Sequence, residues 1–256
     1  MRFIPIAAAG AAGVLGLAAC AYNEDLGRSQ FLLVNDAALA QSAQQAWAQT
    51  LATSKVSNDR AAQARVQRVA ARLVEAAGLG DRSWEYVVFE DPQANAFVLP
   101  GGKIGVNTGM LSVVENDDQL AAVIGHELAH SVANHAGERY SQTAATQLAL
   151  GIGQSALGGR VGAETAKQIS AFGGVGAQLG VLLPFSRRHE LEADRLGVDF
   201  MARAGYRPAE AVKLWRNMQA ASTGGRPPQL LSTHPSEATR IAELERYIAG
   251  MPARPR

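Results

Sequence analysis

The five residues His126-Glu127-Leu128-Ala129-His130 constrain this chain more than any other feature. Histidines four apart share one face of an α-helix. Leu120, Val123, Ile124, Leu128 and Val132 make the surrounding segment heavily apolar, so the helix must be buried. Buried imidazoles need partners. Two of them on one face can grip a zinc ion at about 2.0–2.1 Å each. Glu127, beside the first histidine, can reach a water on that ion and take its proton as a general base. The competing interpretation, a helix with two solvated histidines, is hard to reconcile with so many apolar neighbours.

A catalytic zinc wants a third protein ligand and an open fourth position. The pattern HExxHxxGxxH, which adds a third histidine soon after the pair, fails because positions 133 and 136 are both alanine. A second helix offers Glu190-Leu191-Glu192-Ala193-Asp194, starting 190 − 130 = 60 residues later. Glu190 and Asp194 share a face at i, i+4. Glu190 can bind the metal while Asp194 orients a ligand imidazole through its second nitrogen. Glu192, elsewhere on the same helix, is the rival ligand.

Around this pair of helices the chain reads as α+β, mainly α, with a small sheet. Val66, Val69, Leu73 and Ala77 fall at helical spacing and predict an amphipathic helix ending near Gly78. Trp84 to Phe89 is a strand candidate. Asn95 to Thr108 reads as a hairpin turned by Pro100-Gly101-Gly102, and a proline at the end of its first arm suits an edge strand. Asp117 or Asp118 can cap the helix that carries the histidines, expected to run to about Ala136. Further helices are expected at about Arg187–Arg203, stopped by Gly205, then from Pro208, and finally from Ser236 to Ile248. Between Arg139 and Arg160, and again between Lys167 and Arg187, there is no charge. Both stretches carry Gln, Ser and several Gly, which favours buried or membrane-touching helices over true spans.

HELAH, the segment Ser186-Arg187-Arg188-His189-Glu190-Leu191-Glu192-Ala193-Asp194 and the later Ser232-Thr233-His234-Pro235-Ser236 together resemble the gluzincin metallopeptidases. Among these it is similar to the CAAX prenyl proteases, HtpX and the mitochondrial inner-membrane quality-control proteases. The resemblance covers roughly residues 60–245, and the Asn95–Gly109 hairpin fits the family's substrate-side strand. It implies a zincin-like core with the active-site helix beside an edge strand, one Zn2+ per chain held by His126, His130 and Glu190, and Asp194 behind a ligand. It implies His234 as a stabiliser of the oxyanion, with Arg240 supporting it, and protein or peptide substrates lying along Asn95, Ala96 and Phe97. His135 and His189 are not expected to be ligands. The membrane relatives carry clear spanning helices around the catalytic core. Here these are missing or reduced to the Gly-rich stretches, which disfavours prenyl substrates and favours a lipid-tethered protease of envelope proteins. A zinc-stabilised scaffold that binds without cutting is the rival function, and the intact Glu127 argues against it. A latent protease with residues 140–185 over the cleft is a second rival.

The N-terminus reads separately. Arg2, an apolar run from Ile4 to Leu17, and Leu17-Ala18-Ala19-Cys20 resemble a bacterial lipoprotein signal whose cleavage leaves Cys20 to carry lipid. Residues 1–19 are thus expected to be a signal peptide, 20–35 a tether, 36–250 the metallopeptidase domain and 251–256 a loose tail. Ala21 after the cysteine leans toward the outer over the inner membrane, facing the periplasm. Cys20 is the single cysteine, so packing and metal, not disulfides, must hold the fold. With 24 basic against 23 acidic residues there is no sign of the basic face that nucleic acid requires.

Overall fold

The structure, a computed structural model, describes residues 20–156, 185–222, 230–234 and 238–252. The signal-peptide segment, most of the second charge-free stretch and the last four residues lie outside these. Pro235 and Ser236 do too.

The described residues open with a two-stranded antiparallel hairpin, β1 (Cys20–Asn23) and β2 (Arg28–Phe31), turned at Gly27 with φ 62°. The segment 20–35, expected as a tether, carries this hairpin. Gln30 is buried and donates to the Ala133 carbonyl, so the hairpin is docked on the body of the protein. Two helices follow, α1 (Asp36–Thr53) and α2 (Arg60–Ala76). They are separated because Val56 leaves the helix to bridge Phe89, and Asp59 then caps α2 by accepting from the amides of Ala61 and Ala62. Val66, Val69, Ala70, Leu73 and Val74 form the buried face of α2. Gly78, at φ 73°, sits just past its end.

The sheet holds β3 (Glu85–Phe89), β4 (Ala96–Leu99) and β5 (Lys103–Asn107) in the order β3-β5-β4. β3 runs parallel to β5 and β4 antiparallel to it, with Ala96 opposite Val106 and Phe97 opposite Gly105. The predicted hairpin is therefore β4–β5, and Gly101 and Gly102 both take the positive φ its turn requires. Alternation sends Ala96 into the main core and Phe97 to the other face, where its ring covers Gly105 and meets Trp47 of α1 and Phe89.

A short α3 (Thr108–Val113) leads to α4 (Asp117–Val132), the helix that carries HELAH. Its cap is Asn116, whose side chain accepts from the Gln119 amide, rather than Asp117 or Asp118. Those two acids sit in the first turn, where their charge suits the helix dipole, and pair with Arg65, Arg68 and Arg207. α4 also stops four residues short of Ala136. Asn134 turns the chain at φ 50°, and α5 (His135–Ala156) starts afresh.

Among the described residues the remaining helices are α6 (Arg187–Arg203), α7 (Ala209–Ser222), α8 (Leu230–Thr233) and α9 (Ala238–Ala249). α4 runs through the middle, against α2, α6, α7 and strand β4, while α9 lies on α6 and α7. Leu120, Ile124 and Leu128 of α4 meet Leu73, Ile104, Met201 and Leu214 in one core. Each such side chain gains about 1.5–3 kcal/mol on burial. No helix among the described residues is long and apolar enough to cross a membrane.

Candidate metal centre

Three elements deliver the site. α4 brings His126, Glu127 and His130, α6 brings Glu190 and Asp194, and His234 follows directly on α8. All are buried. The helices approach closely because glycine faces glycine: a Cβ on Gly197 would stand 3.0 Å from the His126 amide nitrogen and 3.1 Å from the Gly125 carbonyl carbon. Gly197 lies seven residues after Glu190, so both share a face of α6 with Asp194.

The donors of His126, His130, Glu190 and His234 converge within 4.8 Å of one another. His126 Nε2 is 3.1 Å from His130 Nε2 and 3.3 Å from His234 Nδ1. Glu190 Oε1 is 3.4 Å from His130 Nε2 and 2.9 Å from His234 Nδ1. A tetrahedron with zinc spokes of about 2.0–2.1 Å has edges of about 3.3–3.4 Å. The cage thus has the size and the nitrogen-and-carboxylate chemistry that zinc takes. Lone pairs crowded in this way, in a buried space, have little reason to converge except on a cation.

The backing of each donor is equally specific. His126 Nδ1 lies 3.0 Å from Asp194 Oδ1. Arg240 of α9 donates to Asp194 from Nε at 2.5 Å and from Nη2 at 2.8 Å, and its Nη1 reaches Glu190 Oε2 at 2.5 Å. Its guanidinium rests 4.1 Å above the Trp215 ring, which also meets His126 edge-on at 5.1 Å. Arg240, expected behind His234, is thus the cation that keeps two buried carboxylates ionised. Burial alone would raise Glu190, but Arg240 and His234 hold it well below the usual carboxylate range. Burial pushes His130 well below the usual imidazole range, leaving it neutral and ready to donate its lone pair.

Glu127 differs from the other acids. Its Oε1 is buried without a hydrogen-bond partner, 3.4 Å from His234 Nε2. Burial raises its carboxyl to about 7, with the nearby His234 opposing. A carboxylate that is short of partners and poised near neutrality suits proton transfer.

Glu192 does not join the cage. It accepts from Arg28, Arg188 and His135 on the far side of the helix. His135 stands with its Nδ1 3.0 Å from His130 Nδ1, behind the cage. His189 stacks on His135 with centroids 4.5 Å apart. Of the three residues expected along a substrate, Asn95 and Phe97 face inward along the ladder: the Asn107 amide donates to the Asn95 carbonyl, and Phe97 pairs with Gly105. By the antiparallel alternation, Ala96 and Val98 turn their main-chain groups to the outer edge of β4, beside α4. Sequence reasoning missed Trp215, Gly125, Gly197 and Phe185, whose ring tilts over His130 at 4.1 Å. Only the glycines had a sequence signal: Gly197 lies on the ligand face of α6, and Gly125 directly precedes His126 in an otherwise regular helix.

A HExxH helix beside an edge strand, completed by a carboxylate from a second helix, defines a zincin-type centre. The profile of Peptidase family M48 matches residues 60–248, and the chain belongs to that family. It is similar to the mitochondrial metalloendopeptidase OMA1 of Schizosaccharomyces pombe, 39% identical over 184 residues that cover 72% of this chain and 52% of that protein. The mitochondrial metalloendopeptidase OMA1 of Bos taurus is 30% identical over 233 residues, covering 87% and 43%. The β-barrel assembly-enhancing protease of Escherichia coli is 27% identical over 176 residues, covering 67% and 36%. The chain thus spans about half or less of the length of these relatives.

Proposed function

We propose that this chain is a zinc-dependent endopeptidase that cuts proteins of the cell envelope in a quality-control role. One observation carries it: a zinc-sized cage with a partnerless buried carboxylate, Glu127 Oε1, at its side. Zinc, when bound, supplies a Lewis acid that polarises the scissile carbonyl and acidifies the attacking water. His126, His130 and Glu190 are the residues that would hold it. Glu127 takes the water's proton and returns it to the leaving amine, a role matched to its carboxyl near 7. Asp194 holds the His126 ring in register. The substrate adds to the β4 edge through the main-chain groups of Ala96 and Val98. His234 serves the oxyanion through its imidazole.

The relatives named as metalloendopeptidases and as an assembly-enhancing protease support this reading. For location we propose a lipid on Cys20, a periplasm-facing site and the outer membrane over the inner. The Leu17-to-Cys20 pattern and the exposed position of Cys20 support the lipid, and Ala21 after it favours the outer membrane.

A second reading rests on His234 Nδ1. As a fourth donor in the cage it fills the position that water and substrate need, which describes a latent site that opens when His234 swings away. The His234→Ala variant separates the two roles. A rise in cleavage means that the ring chiefly closes the site, and a fall of about 100-fold or more means that it chiefly serves the oxyanion.

The direct test uses the full-length chain, purified in detergent, beside Glu127→Gln. One zinc per chain in both, with casein cut only by the wild type and not after chelation, is the expected result. Zinc without cutting in either, including His234→Ala, would favour a scaffold, and no zinc at all would sink the proposal.

A further inference from the structure

Behind His130 runs a chain of contacts that leaves the metal centre altogether. With Nε2 turned into the cage, His130 carries its proton on Nδ1 and donates it to His135 Nδ1, 3.0 Å away. His135 must accept there, so its own proton sits on Nε2 and is donated to Glu192 Oε2 at 3.1 Å. Glu192 in turn accepts from Arg28 Nε and Nη2, both at 2.7 Å. The same guanidinium donates to both oxygens of Glu138 at 2.8 Å. Arg28 lies on β2, 126 − 28 = 98 residues before the start of HELAH, and its side chain is only 10% exposed. Gln30, on the same strand, fixes the hairpin by donating to Glu138 at 2.8 Å and to the Ala133 carbonyl at 2.7 Å. Ala133 caps the C-terminal end of α4.

We propose that Arg28 is a positioning residue for the metal centre: it holds Glu192 against His135, and through His135 fixes the tautomer and orientation of His130. The geometry is directional. Arg28 is the cation shared by two carboxylates on different helices, α5 and α6. Without it Glu192 keeps only the exposed Arg188 as a cation, and Glu138 keeps Gln30 and His189, so the bridge that ties Glu192 to the hairpin and holds it on His135 is lost. His130 then loses the acceptor that keeps its Nε2 aimed at the cage. Lysine cannot replace it fully, because one ammonium does not fork to two carboxylates. The N-terminal hairpin is therefore part of the site's support and not a passive leader to it. This rests on the zinc reading of the cage, but its test does not depend on cleavage.

The test is a double-mutant cycle on the full-length chain, with Arg28→Gln, His135→Phe and the pair. Zinc affinity is read by competition with a chelating dye, beside the melting temperature of the metal-free protein. Arg28→Gln is expected to weaken zinc about 10-fold in the wild-type background, within the range for ligand-supporting partners, and to have little further effect once His135 is phenylalanine. Arg28→Lys should fall between, and it stands in if Arg28→Gln does not fold. Equal weakening in both backgrounds, or unchanged zinc affinity with Arg28→Gln, overturns the assignment. Wild-type protein that binds zinc but never cuts would overturn the proposed function and leave this one standing.

Discussion

Gly197 of α6 lies against Gly125 of α4, so close that a Cβ on Gly197 would be 3.1 Å from the Gly125 carbonyl carbon and one on Gly125 would be 3.1 Å from the Gly197 oxygen. The contact sets the distance between the two helices that share the donor cage. Glu190, nearly two turns away on the same face, reaches the histidines because the backbones meet here.

Gly197→Ala tests this spacing. Alanine favours an isolated helix by about 1 kcal/mol over glycine, so any net loss reports the clash between backbones. A net destabilisation of about 1–3 kcal/mol is expected, as for other overpacked sites. Zinc affinity should fall with it, because the donors of α6 move relative to those of α4. Thermal denaturation with and without zinc checks both. An unchanged melting temperature and unchanged zinc affinity would mean that the contact has room to spare.

Arg240 is the next position to change. Arg240→Leu leaves Glu190 and Asp194 buried without their cation. The cost expected for breaking a buried ion pair from one side is about 3–5 kcal/mol. Urea denaturation of the metal-free protein measures it. Saturating zinc should return part of the loss, since it restores a positive charge beside Glu190.

Asp194→Asn is milder. An amide oxygen can still accept from His126 Nδ1, but it does not raise the basicity of the ring as a carboxylate does. Zinc affinity is expected to drop about 10-fold or more. The fold should hold, which circular dichroism checks. A wild-type affinity in this variant would show that Asp194 serves Arg240 and not the metal.

Acid stability can be followed at Glu210, away from the cage. Lys213, bonded at 2.7 Å, and the side chains of Asn116 and Gln119 hold its carboxyl at about 2. In the unfolded chain a glutamate titrates near 4.3. The folded form therefore binds the proton more weakly, and Glu210 adds stability that is complete above about 4.3 and fades as the pH falls toward 2. The gap in melting temperature between wild type and Glu210→Gln should be larger at pH 7 than at pH 3. An equal gap at both would remove Glu210 as a source of acid sensitivity.

The sequence determined what is local. An i, i+4 pair of histidines in an apolar stretch is a buried helix with two ligands on one face, whatever it packs against. Glycines after a proline make a tight turn, and flanking apolar runs make its arms, so β4–β5 could be read directly. Helix ends at Gly78 and Gly205 were legible for the same reason, since glycine at positive φ stops a helix. The tertiary structure decided the rest. Glu190 and Glu192 are about 200° apart around α6, so one at most can face the histidines. Which one depends on the side of α6 that meets α4, and Gly197 on Gly125 chose Glu190. Arg240 went to the acids, and residues 20–31 became a hairpin, because each answered charges or open main-chain groups on segments far away in sequence. Local spacing fixes the face a residue occupies, but the partner of a buried charge is set by whatever the fold brings opposite it.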